Sequence, residues 1–214
     1  MIKNISALLA SIFFLVSVAW AESEKFGSIE FSGGLYQPQN EILKKFVRPG
    51  GAPGGLLKVG WEIHDLFSLR GSAGYFEEKN QGQFLTGDPS QIETYKVRII
   101  PADLSAIFRF LFINDQLLVP YLGGGGDYYY FMQERSDGGD KLNGGKRGYH
   151  AMGGIKILLD YFDKVHAAKL DDEYGINNTY INVEAKYAVV NNWGDKTGFV
   201  FTGLTFSGGL LFEF

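Results

Sequence analysis

Hydrophobic and polar residues alternate with a period of two along most of this chain, and the C-terminus shows it most clearly. Leu204, Phe206, Gly208, Leu210, Phe212 and Phe214 fall on one face, against Gly203, Thr205, Ser207, Gly209, Leu211 and Glu213 on the other. Such alternation marks a strand whose two faces meet different surroundings. The preceding segment repeats it, with Ile181, Val183, Ala185, Tyr187 and Val189 against Tyr180, Asn182, Glu184, Lys186 and Ala188. Leu57, Val59, Trp61 and Ile63 oppose Leu56, Lys58, Gly60 and Glu62 in the same way. Further strands are predicted over 26–36 (Ile29, Phe31 and Leu35 outward), over 67–76 (Leu69, Ala73 and Tyr75 outward) and around Tyr149–Leu159, where His150 and Lys156 take the other face.

Two segments are less regular. In 94–111 the apolar positions Val97 and Ile99 give way to Leu104, Ala106, Phe108 and Phe110, a change of parity that predicts a β-bulge near Pro101-Ala102-Asp103. In 117–131 the run Gly123 to Gly126 blurs the pattern; Asp127 is placed inward there, which turns Tyr128 and Tyr130 outward. The count is eight strands. Long polar connections (37–55, 77–92, 132–147) alternate with the tight Asp65-Leu66 and Ile113-Asn114-Asp115-Gln116.

Long loops at one end, short turns at the other and an even strand number are the plan of a transmembrane β-barrel, in which closure leaves no unpaired edge in lipid. The competing architecture is a soluble β-sandwich, which also alternates. Two features favour the barrel: the polar face carries many glycines and mixed charges, and the chain ends on an aromatic behind alternating large hydrophobics.

The N-terminus supplies the compartment. Lys3, an apolar stretch from Ile5 to Val18 and Ala19-Trp20-Ala21 before Glu22 match a cleaved secretory signal peptide, residues 1–21, ahead of a barrel domain over 22–214. The alternative, a membrane anchor, needs about 20 apolar residues, and the stretch is shorter. The formal net charge is −4, and losing Lys3 makes it more acidic, which argues against nucleic acid as a partner. The chain has no cysteine, so disulfides, thiolate metal sites, cysteine nucleophiles and a lipidated cysteine are excluded.

With the signal peptide, the eight alternating strands, the terminal Leu210-Leu211-Phe212-Glu213-Phe214 and the run Pro120-Tyr121-Leu122-Gly123-Gly124-Gly125, the sequence resembles small bacterial outer-membrane β-barrel proteins, of the OmpW-like and related kinds. The resemblance implies residence in the outer membrane as a monomer, contact with its lipid and lipopolysaccharide, and delivery by the outer-membrane assembly machinery. Phe212 and Phe214 are similar to the C-terminal signal that this machinery reads, and Phe214 also suits a lipid-facing aromatic.

The resemblance raises an enzymatic alternative, because lipid A deacylases and palmitoyltransferases share this architecture. A deacylase would place a histidine and a serine two residues apart on one strand face. His150 is followed there by Met152, His64 by Leu66 and His166 by Ala168, so no catalytic residue is assigned. Gly144-Gly145-Lys146 lacks the remaining residues of a phosphate-binding loop, and Asn177-Asn178-Thr179 matches a glycosylation acceptor that is uninformative in bacteria. Residues 160–179 replace an expected tight turn. Asp160 is placed to cap a short helix, with Asp163 near its first turn and Gly175 at its end. His166 with Asp163 and Glu173 fits no standard metal set, so neither metal nor cofactor is expected.

The parities put Glu30, Lys58, Glu62, Arg70, Lys96, Arg98, Arg109, Asp127, Lys156, Glu184, Lys186 and Glu213 inside the barrel. An eight-stranded lumen is just wide enough for side chains to fill it, and isolated buried ions cost several kcal/mol each. The main expectation is a lumen cluster, built around Lys58, Glu62, Arg70, Arg98, Arg109, Lys156, Glu184 and Lys186, that plugs a non-enzymatic barrel of structural or surface-interaction role. The alternative is an OmpW-like passive route for small, hydrophobic solutes. A lipid A-modifying enzyme ranks last.

Overall fold

The computed structural model describes residues 27–44, 47–82, 93–113, 116–135, 142–194 and 200–214. The predicted signal peptide and the boundary at residue 21 lie outside them. Eight antiparallel strands close into a barrel in simple sequence order. They are β1 (Gly27–Pro38), β2 (Ala52–His64), β3 (Phe67–Gly82), β4 (Glu93–Arg109), β5 (Leu118–Arg135), β6 (Leu142–Leu158), β7 (Asn178–Val190) and β8 (Gly203–Glu213). β8 closes on β1, from Ser28 opposite Glu213 to Pro38 opposite Gly203. The backbones of Gly27 and Phe214 pair at the end of that seam.

The faces follow the alternation. Phe31, Trp61, Leu69, Leu104, Leu122, Ile155, Val183, Phe206 and Leu210 are exposed on the outer wall, while Glu30, Lys58, Arg70, Arg109, Lys156, Glu184 and Glu213 are buried inside. Apolar outside and charged inside inverts a soluble protein, and it is the arrangement of a transmembrane barrel. Among the described residues no helix is long and apolar enough to cross a membrane.

A barrel strand needs about 9–11 residues to cross the hydrocarbon. β1, β2, β7 and β8 have 12, 13, 13 and 11. β3 to β6 have 16, 17, 18 and 17. These four run on beyond the slab at the loop end, so much of 77–82 and 132–147, read from sequence as loop, is strand.

Their extension changes the reading of β4. Its register against β5 runs without a break from Tyr95 opposite Arg135 to Arg109 opposite Tyr121, so there is no bulge at Pro101. Val97 and Ile99 point inward, in one parity with Ser105, Ile107 and Arg109. Lys96 and Arg98 therefore face outward, contrary to expectation. What changes at Pro101 is the surroundings of the strand, and its geometry stays the same.

The inward residues at the loop end form an apolar core: Tyr36, Phe76, Val97, Ile99, Tyr129 and Phe131 from the strands, with Leu43, Val47 and Phe201 from the connections. Leu43 belongs to a one-turn helix, α1 (Glu41–Lys44). At the turn end, α2 (Lys164–Tyr174) follows β6. Its N-cap is Asp163, whose side chain accepts from the His166 backbone N–H, and its C-cap is Gly175 in the left-handed region, with φ 67°. Asp160, expected at the N-cap, instead accepts from the Thr179 backbone N–H and ties the two ends of the insertion together.

Candidate functional site

The inward charges form three layers. Nearest the turn end, Arg109 bridges Glu62 at 2.5 Å and Glu213 at 3.0 Å, and Lys156 reaches the same Glu213 at 2.9 Å. Lys156 also lies 5.5 Å above the Tyr180 ring. Val119, Leu158, Tyr180 and Leu211 pack beside this layer. A concavity of about 590 Å³ opens at this end, with Arg109, Lys156 and Glu213 in its lining.

The middle layer centres on Glu184. It holds Lys58 at 3.2 Å and Arg70 at 2.6 Å, and it accepts a hydrogen bond from the Tyr121 hydroxyl at 2.7 Å. Lys58 also contacts Glu30 at 2.8 Å, and Asn182 donates to Glu30. Residues of β1, β2, β3, β5 and β7 thus meet across the axis, so the layer ties opposite walls together.

The third layer surrounds Lys186. Its ammonium lies 2.7 Å from Asp103 and 3.0 Å from Asp127. Asp127 also contacts His150 Nδ1 at 2.7 Å, and His150 Nε2 lies 3.0 Å from Ser105 Oγ. Ser105 donates to Asp103 at 2.9 Å, and Ser72 donates to the same carboxylate. The apolar core at the loop end lies beyond this layer.

Of the eight residues placed in the lumen cluster from sequence, the structure brings Lys58, Glu62, Arg70, Arg109, Lys156, Glu184 and Lys186 inside. Arg98 lies outside. It joins Glu77 at 3.3 Å and Glu134 at 3.1 Å, and Lys96 reaches Glu77 at 2.9 Å. This is an ion-pair cluster on the outer surface of the projecting strands. There the hydroxyl of Tyr75 and the two cations hold the Glu77 carboxyl down at about 2. At the turn end, Asp163 is held below the usual carboxylate range by hydrogen bonds from His166.

Sequence reasoning missed three participants. Asp103 was obscured by the supposed bulge. Glu78 lies inside because β3 continues past Tyr75, and it pairs with Arg48 of the β1–β2 connection at 3.0 Å. Ser105 has no histidine partner within its own strand, because the pair forms across β4 and β6. Gly125 of β5 sits opposite both Ser105 of β4 and His150 of β6. With no side chain there, the serine and the imidazole meet over it. Gly123, one inward step along β5, does the same for Ile107 and Met152; a Cβ at that position would stand 2.7 Å from Ile107. The glycine run is therefore a channel in the inner wall, occupied by side chains from its neighbours.

Ser105, His150 and Asp127 have the order of a nucleophile, base and orienting acid. Two features argue against catalysis. Ser105 is only 1% exposed, so no face of its hydroxyl is open to a carbonyl. Its hydroxyl also lies 2.9 Å from Asp103 Oδ1, a carboxylate that competes with the imidazole for its single proton. Among the described residues no cluster of His, Cys, Asp and Glu could hold a metal ion.

A closed eight-stranded barrel with a lipid-facing exterior and a salt-bridged interior defines a small outer-membrane β-barrel fold. Solved structures agree. The outer membrane protein OprG from Pseudomonas aeruginosa is 13% identical with a TM-score of 0.61, the match covering 90% of this chain and 97% of that one. A major outer membrane protein from Thermus thermophilus is 12% identical with a TM-score of 0.55, covering 90% and 100%. The N-terminal β-barrel domain of P. aeruginosa OprF is 14% identical with a TM-score of 0.51, covering 89% and 100%. No protein-family model and no curated protein matches the sequence. The likeness is one of fold, and it does not single out the OmpW-like kind.

Proposed function

We propose that this chain is a non-enzymatic barrel of the bacterial outer membrane, exported by a cleaved leader, with a lumen closed to solutes and a structural or surface-interaction role carried by its loop end. The observation that carries this reading is the middle layer, in which Glu184 joins Lys58, Arg70 and Tyr121 from three other strands across the axis. The apolar core at the loop end supports it. Opposite charges at hydrogen-bonding distance leave no room for a water column, and removing one partner strands a buried charge. The turn end then faces the periplasm and the loop end the outside.

Conductance in planar bilayers tests this. The unmodified barrel shows no steady nanosiemens-scale conductance, and Arg70→Ala or Glu184→Ala raises a small background. A large steady pore in the unmodified protein refutes the closed lumen and supports the passive-route alternative. Lipid A or phospholipid turnover that depends on His150 or Ser105 refutes the non-enzymatic reading.

The same proposal makes Phe212 and Phe214 the residues read by the assembly machinery. The Phe214 backbone already pairs with Gly27 at the seam, so its ring is the part left for recognition and for the interfacial aromatic belt. Deleting Phe214 lowers the heat-modifiable barrel recovered from outer-membrane fractions, and normal recovery refutes this assignment.

A further inference from the structure

The turn after β7 presents an aromatic side chain at a backbone cost. Asn192 and Trp193 have φ values of 52° and 63°, in the left-handed region that disfavours residues other than glycine. The turn is strapped to β6. The Asn192 N–H donates to the Arg147 carbonyl at 2.8 Å, and the Arg147 N–H donates to the Asn192 side chain at 2.9 Å. Gly194 N–H donates to the Asn191 side chain. The result lays the Trp193 ring flat on Tyr149, with centroids 6.0 Å apart and planes 18° apart, while Trp193 stays 68% exposed.

Arg147 and Tyr149 are exposed neighbours on the outward face of β6, and Tyr128 stands opposite Arg147 on β5. Gly145 leaves space for the Tyr128 hydroxyl, since a Cβ there would meet it. The patch continues the outer wall at its loop end, where the lipid-facing surface reaches the outer leaflet. Planar aromatics stack on sugar rings, and an arginine fork matches phosphate oxygens.

We propose that Arg147, Tyr149 and Trp193 form a docking site for the phosphorylated disaccharide headgroup of an outer-leaflet glycolipid of the lipid A class. Arg147 takes the phosphate and the Tyr149–Trp193 pair takes a sugar face. This rests on the reading that the outer wall is embedded in the membrane.

The test uses the full barrel, purified from membranes and stripped of lipid in detergent, with bisphosphorylated lipid A as the probe. Trp193 emission, taken as the difference from Trp193→Phe, shifts saturably with lipid A. Arg147→Gln weakens binding by about tenfold, as loss of a charge-assisted hydrogen bond implies. Dephosphorylated lipid A weakens it similarly. Trp193→Gly, which suits the left-handed backbone and so keeps the fold, lowers lipid A retention in native mass spectrometry. Unchanged binding in Arg147→Gln, or an equal response to phosphatidylglycerol, overturns the site. A separate arm reconstitutes the barrel with brominated phospholipid and follows Trp61 on the outer wall. If Trp61 is quenched while lipid A leaves Trp193 unmoved, only the docking site fails. If Trp61 is not quenched, the membrane reading fails and the site with it.

Discussion

The barrel contains two interiors of opposite chemistry. Through the slab the inside is ionic and the outside apolar, as Lys58, Glu184 and Arg70 against Val183 and Leu210 show. Where β3 to β6 project past it, the inside is the apolar core of Phe76, Val97, Ile99 and Phe131, and the outside carries Glu77, Lys96, Arg98 and Glu134 as ion pairs. A single strand of unbroken register, β4, passes from one regime to the other at Pro101. Large hydrophobic residues collect where they meet an apolar surrounding. In lipid that is the outer face, and above lipid it is the centre. The inversion therefore marks where the membrane ends.

The strongest way to break this comparison is Glu184→Ala. It leaves Lys58 and Arg70 without their shared anion in the middle layer, and breaking a buried pair costs about 3–5 kcal/mol. Unfolding in urea from lipid vesicles measures it. A cost under about 1 kcal/mol would show that the layer is hydrated and its charges screened.

Next come substitutions on the two apolar faces. Ile99→Ala empties part of the loop-end core and costs about 2–5 kcal/mol. Val183→Arg puts a charge into lipid and costs about 2–4 kcal/mol if the site lies near the midplane. The environments separate them: bilayer thickness alters the penalty of Val183→Arg and leaves that of Ile99→Ala unchanged. Equal sensitivity to thickness in both would place Ile99 in lipid and restore the parity read from sequence.

That parity was legible for seven strands because each carries large apolar residues toward lipid and mostly small, polar or charged residues toward the lumen along most of its predicted length. On β4 the alternation of Val97 and Ile99 is as clear as that of Leu104 and Phe108, and nothing local says which solvent lies on which side. The deciding facts are the length of β4 and its neighbours and the arrival of Leu43, Val47 and Phe201 from distant connections. The layers were legible only as a set of inward charges. Which carboxylate meets which cation depends on register around the ring, and the Ser105–His150 contact depends on a glycine belonging to the strand between them. The helical insertion was visible through Gly175, but Asp160 and Asp163 are equally good capping residues, and only closure of the insertion through Thr179 separates their roles.

A smaller effect comes from the outer cluster. Arg98→Ala removes contacts to Glu77 and Glu134 that are open to water, and exposed pairs contribute about 0–1 kcal/mol. Urea unfolding of this variant stays within that range of the parent. A loss comparable to that of Glu184→Ala would return Arg98 to the lumen.

The smallest expected effect is a titration. Glu77 has its carboxyl held at about 2, chiefly by the Tyr75 hydroxyl and then by Lys96 and Arg98. Its ordinary value is about 4.3. A carboxyl whose folded value is depressed contributes stability that is fully present above its unfolded value, and that stability is lost as pH falls toward the folded one. The contribution from Glu77 thus fades between about pH 4 and pH 2, and exposure to water and salt keeps it small. Carboxyl carbon NMR on the detergent-solubilised barrel follows Glu77 directly. Tyr75→Phe raises its midpoint toward the ordinary range, and added salt raises it further by screening the two cations. The salt response distinguishes the two regions: buried pairs are screened much less than exposed ones. If the Glu77 midpoint ignores salt, its cluster is enclosed, and the boundary drawn at Pro101 lies too close to the turn end.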